Sequence, residues 1–108
     1  MAKPELLSGT LDLLVVQVLN GGPLHGFAIA ERIHALSKDV LIVEEGSLYP
    51  SLYRMEGKGW IEPKWGQSDK GRRAKFYSLT KEGRKQLTAE RQTWDRIALA
   101  IGDVLKNA

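Results

Sequence analysis

The chain has 108 residues, enough for one domain with a single thin core. Hydrophobic residues make up 43% and charged residues 27%, which excludes a disordered chain or a coiled-coil rod, and the absence of cysteine excludes disulfides, thiolate metal sites and cysteine catalysis. The net charge of +3 is unevenly spread: residues 45–85 carry ten cations and five anions, a net +5, and the remainder is −2. A basic middle beside acidic flanks is the asymmetry of a surface that meets a polyanion; a solvated basic loop without a partner is the competing reading.

The first helix is expected over Thr10 to Asn20. Leu7, Leu11, Leu14 and Val18 make one apolar stripe and Leu13, Val16 and Leu19 a second, so it must be buried on more than one side, one of them facing a second subunit. Its longest apolar run, Leu13 to Leu19, is interrupted by Gln17 and is far shorter than the roughly 20 residues of a membrane span. No secretory pattern opens the chain, so the expectation is a cytoplasmic protein. Gly21-Gly22-Pro23 ends the helix. A second helix follows over His25 to Ser37, with Ile29, Ile33 and Leu36 toward the core, and Val40 to Val43 is β-branched enough for a short strand.

The third helix is expected to begin at Ser47 as N-cap, with Pro50 at the third helical position, where its missing N–H costs no bond. Leu48, Leu52 and Met55 form its buried edge, while Pro50, Tyr53, Arg54 and Gly57 point away and Tyr49 lies on the flank. Trp60 to Trp65 and Lys75 to Leu79 read as strands, and Gly66 to Arg73 between them as a polar, basic hairpin tip; Pro63 places the first strand at an edge. Thr80 caps a last helix over Lys81 to Leu105, in which Leu87, Trp94 and Ile101 recur every seven residues, with Ile97 and Val104 in the complementary position. A helix of roughly 37 Å cannot bury both ends of such a stripe in so small a domain, and calls for a partner helix.

The order of elements is that of a winged helix-turn-helix, an α+β fold that is mainly α, with residues 1–79 as the DNA-binding unit and 80–108 as a dimerisation helix in one compact body. An exposed helix about 10–12 Å across fits a major groove roughly 12 Å wide, and a basic hairpin tip reaches the adjoining phosphates.

The runs EEGSLYPSLYRMEGKGWIEPKW and GRRAKFYSLTKEGRKQL, with the opening SGTLDLLVVQVLNGGPLHGFAIAERI, resemble the PadR family of bacterial transcriptional regulators over nearly the whole chain. The resemblance implies a DNA-binding repressor, homodimeric through its last helix with help from its first, and similar to the short members that lack an extra C-terminal helical domain. Some members respond to phenolic acids or flat hydrophobic drugs, and such ligands do not transfer by resemblance alone.

On this reading Lys70, Arg72, Arg73 and Lys75 contact phosphates of double-stranded DNA, and Ser47, Tyr49, Tyr53 and Arg54 touch the groove or its flanking backbone. Tyr49 has a second reading, as closure of the core edge. Leu11, Leu14, Val18, Leu87, Trp94, Ile97, Ile101 and Val104 are the expected dimer contacts. Trp94, with Ile97 and Ile101, is either dimer seam or a platform for a planar hydrophobic or aromatic effector. His25 and His34 are nine apart, unlike the i, i+4 pair of a helical metal site, so no metal is expected. Gly57-Lys58-Gly59 lacks the spacing of a phosphate-binding loop and no serine lies in a nucleophile elbow, so neither cofactor nor catalysis is expected. The alternative function is a winged-helix module docking an acidic protein.

Overall fold

The structure, a computed structural model, describes residues 8–108. Helix α1 (Ser8–Leu19) is followed by a two-residue strand β1 (Leu24–His25), α2 (Gly26–Leu36), α3 (Glu45–Gly57), β2 (Ile61–Gln67), β3 (Arg73–Leu79) and the 27-residue α4 (Lys81–Asn107). The core is built where α1, α2 and α3 meet the sheet: Val15, Val16, Leu19, Ile29, Leu48, Leu52, Met55 and Ile61 are fully enclosed. Leu7 lies outside the described residues.

The three strands are antiparallel in the order β1-β3-β2, so Pro63 does sit on an edge strand, where its missing N–H breaks no ladder. The register pairs Ile61 with Leu79, Pro63 with Tyr77 and Trp65 with Lys75, and one sheet face carries all six. Gly66 and Gln67 extend β2 by pairing with Ala74 and Arg73, which shortens the expected loop to Ser68–Arg72; Trp60 stands just before the strand. At the tip Gly71 N–H donates to Ser68 O (2.8 Å), Ser68 N–H donates to Arg72 O (2.8 Å), and Gly71 has φ 74°, the pattern of a three-residue loop closed by a glycine bulge.

Several local expectations are corrected. His25 caps α2 instead of belonging to it: its Nδ1 accepts from Ala28 N–H at 3.2 Å, while its backbone pairs with Phe76 to make β1. Leu36 is exposed at the end of α2. Val40 to Val43 is an irregular connection with no strand partner, because Lys38 and Asp39 (φ 56° and 66°) turn the chain straight from α2 toward α3. Helix α3 starts three residues early. Glu44 is its N-cap with no side-chain cap bond, and Ser47 and Leu48 N–H both donate to Glu44 O (3.0 and 2.9 Å). Pro50 is therefore the sixth helical residue, and its missing N–H leaves the Gly46 carbonyl without a helical donor; both residues are exposed, so water can satisfy it. Thr80 caps α4 as expected, its Oγ1 accepting from Gly83 N–H at 3.0 Å.

Candidate nucleic-acid interface

Helix α3 and the β2–β3 wing lie side by side and form the exposed face that carries most of the sequence-derived candidates. Ser47, Pro50 and Tyr53, spaced by three, line the outer side of α3, and Tyr53 is 79% exposed. Their opposites, Leu48, Leu52 and Met55, are buried and fix the helix on the core. The only basic side chain of α3 is placed differently from expectation. Arg54 Nη2 donates to Asp12 Oδ1 on α1 at 3.0 Å, and the buried Ser51 hydroxyl donates to the same oxygen, so Arg54 first serves to fasten α3 to α1.

The wing supplies the available charge. Lys70 and Arg72 are exposed in the tip loop. Arg73 belongs to β3, and its guanidinium lies 4.4 Å from the centroid of the half-exposed Trp65 ring. Lys75, also on β3, differs from the expected phosphate contact: it is half-buried on the core-facing side, with Nζ 3.3 Å from Glu56 Oε1 of α3 and 5.6 Å from the Tyr77 ring centroid. Position along the strand causes this: Arg73 and Lys75 share one sheet face, but Lys75 is two residues nearer the helices, where that face meets α3. Burial raises the Tyr77 phenol above its ordinary value; the Lys75 charge opposes the shift, while Glu56 and Tyr49 add to it.

Tyr49 occupies the junction. It is about half exposed, and its ring covers Gly26 so closely that a Cβ there would meet Tyr49 Oη at 2.8 Å. Tyr49 thus closes part of the core edge and leaves about half of its surface open. Between this junction and the wing runs a cleft of about 640 Å³ lined by Phe27, Tyr49, Trp65, Arg72 and Arg73 among others. Trp65 and Phe27 (65% exposed) are not among the candidates that the sequence supplies. The cross-strand placement of Trp65 near Arg73 was the signal that could have found the first.

The second candidate face divides. Leu11, Val18 and Leu87 pack in the core of the subunit itself, 3%, 9% and 6% exposed, which leaves little of their surface for a second subunit. Leu14 is partly buried. Trp94, Ile97, Ile101 and Val104 are exposed, and every residue from Arg91 to Ala108 is exposed with them. Trp94 shares a shallow hollow of about 350 Å³ with Leu13, Leu14, Gln17, Arg91 and Asp95, between α1 and α4; Ile97 lines a separate depression with Thr93, Arg96 and Ala100. Among the described residues no helix is long and apolar enough to cross a membrane.

Comparison with known proteins agrees with this arrangement. Residues 15–89 match the family model described as the transcriptional regulator PadR-like family. The fold is similar to that of a transcriptional regulator from Clostridium thermocellum, with a TM-score of 0.80 and 25% identity over 88% of this chain and 92% of that one. A PadR-like transcriptional regulator from Bacillus cereus is similar at a TM-score of 0.78 and 25% identity, covering 94% and 97% of the two chains. A PadR family transcription regulator from Clostridium difficile is 32% identical, covers 88% of this chain and 97% of its own, and has a TM-score of 0.75. A three-helix cluster with a basic wing and this family match together identify the chain as a member of the PadR-like family, a DNA-binding transcriptional regulator.

Proposed function

We propose that the protein is a cytoplasmic homodimeric repressor that binds an inverted-repeat operator and is released by a planar hydrophobic ligand held between the subunits. The observation that carries this reading is the outer half of α4, where Trp94, Ile97, Ile101 and Val104 form an exposed apolar row, only its Trp94 end bordering α1. An apolar row left in water gains by burial against a partner, and a second α4 is the partner its heptad spacing fits. Residues 80–108 would then be the joining element and residues 1–79 the reading unit. Two-fold symmetry sets the half-sites about one helical turn apart, roughly 34 Å. Arg72, Arg73 and Lys70 contact phosphates, Ser47, Tyr49 and Tyr53 approach the groove, and the hollow beside Trp94 receives the ligand, which acts only through its different affinity for two dimer shapes.

Sedimentation of the wild type and of Ile101→Asp tests the dimer. The wild type should sediment as a dimer and the variant as a monomer with weaker DNA binding; a monomeric wild type at micromolar concentration overturns the reading. Replacing Arg72 and Arg73 by alanine should weaken binding to duplexes of any sequence and flatten the salt slope by about two.

A further inference from the structure

We propose that Trp65 is a positioning residue for DNA binding: its indole holds the Arg73 guanidinium in a ready orientation, so that Arg73 meets a backbone phosphate with little further ordering. This rests on the reading of the wing as the DNA-binding element.

Three cations near α3 are held in two ways. Arg54 is held by Asp12 and Lys75 by Glu56, and in both cases the holder is a carboxylate that cancels the charge it fixes. Arg73 is held by an aromatic ring 4.4 Å away and, among the described residues, makes no salt bridge. The neutral indole restrains the guanidinium while leaving its positive charge uncompensated. A guanidinium lying over a ring also keeps its N–H donors available, since they project in its own plane. A carboxylate in place of Trp65 would order Arg73 as well, but would repel the phosphate it is meant to meet.

The register makes the contact possible. Trp65 pairs with Lys75 and Gln67 with Arg73, so Trp65 and Arg73 are diagonal neighbours on one sheet face, within reach for long side chains. The fold makes no evident use of the indole: Trp65 is 56% exposed and stands outside the core cluster, whereas Tyr77 and Leu79 on the same face belong to it. An exposed tryptophan on an edge strand is a solubility liability, and its stacking on Arg73 is the use the geometry provides.

The test is a double-mutant cycle read by fluorescence anisotropy of a labelled duplex of mixed sequence at several salt concentrations. Trp65→Leu keeps apolar bulk in the strand but lacks a ring face; it should weaken binding about fivefold, from the lost cation–π contact and the added ordering of Arg73, with the salt slope unchanged because no charge is removed. Trp65→Phe should restore binding to within about twofold of wild type, since a ring face returns. Arg73→Ala should lower the salt slope by about one, and adding Trp65→Leu to it should cost nothing more. Thermal unfolding of each variant is recorded in parallel. Wild-type affinity in Trp65→Leu beside a weakened Arg73→Ala overturns the proposal and leaves the wing assignment standing. An equal loss from Trp65→Leu with and without Arg73 also overturns it, because Trp65 would then act on DNA directly. Unchanged binding when Arg72 and Arg73 are both replaced overturns the wing assignment, and the proposal with it.

Discussion

The carbonyl oxygen of Trp60 lies where a side chain on Gly83 would begin: a Cβ there would stand 2.0 Å from that oxygen and 2.6 Å from Leu79 Cδ1. The first turn of α4 is thus seated directly on the backbone that leads into β2. Thr80 completes the seat, with its N–H donating to Trp60 O at 3.0 Å and its hydroxyl to Gly59 O at 2.6 Å. Gly83→Ala should destabilise the protein by about 3 kcal/mol, because backbone must move to admit one methyl group. Urea unfolding, with the slope compared to wild type, measures it.

The turn between α2 and α3 is a Schellman closure without its usual glycine. Lys38 N–H donates to Ala35 O at 3.1 Å and Asp39 N–H to His34 O at 2.9 Å, with Lys38 at φ 56°. A non-glycine residue in this region is strained by roughly 1–2 kcal/mol, part of which glycine returns through its freer unfolded state. Lys38→Gly should therefore raise stability by about 1 kcal/mol, seen as a higher melting temperature at unchanged DNA affinity.

Asp12 joins α1 to α3 through both Ser51 and Arg54. Removing its carboxylate strands a fully buried hydroxyl and loosens the arginine. Asp12→Ala should cost about 2 kcal/mol, and Ser51→Ala less, since the Asp12–Arg54 pair survives it. Chemical denaturation of both variants gives the comparison.

Tyr77 sets an alkaline limit. Its folded phenol titrates above the ordinary value of 10.0, chiefly because of burial. Above pH 10 the unfolded chain gives up this proton before the folded one does, so the folded state binds more protons and stability falls as pH rises. Below that value the contribution is fully present. Tyr77→Phe should flatten the fall in melting temperature above pH 10 relative to wild type, checked by thermal scans across that range.

The sequence made legible whatever depends on spacing and composition. The stripes of α1, the Leu48–Leu52–Met55 edge, the Thr80 cap, the edge position of Pro63 and the net charge of the wing all follow from period and residue type. Harder to read was anything decided by a contact across the fold. His25 looked like the start of a helix because nothing local announces that Phe76 will pair with it. Arg54 and Lys75 looked free because Asp12 is 42 residues from the first, and the Glu56 that meets the second lies on a different element. Leu11 and Leu87 looked like interface because an apolar stripe does not say whether its cover comes from the same chain. Gly83 carried no signal at all, since the need for it lies in the Trp60 carbonyl.

Only the first ten residues of α4 include any that are shielded by the rest of the chain, and the remaining helical residues extend it by about 25 Å like the arm of a balance. A pivot of about 5° where it leaves the body carries its far end some 2 Å, by the same rise per residue. Joined to a twin at that end, such an arm would convert a small angular disturbance near Trp94 into a visible change in the span between two reading heads, with neither head altered internally.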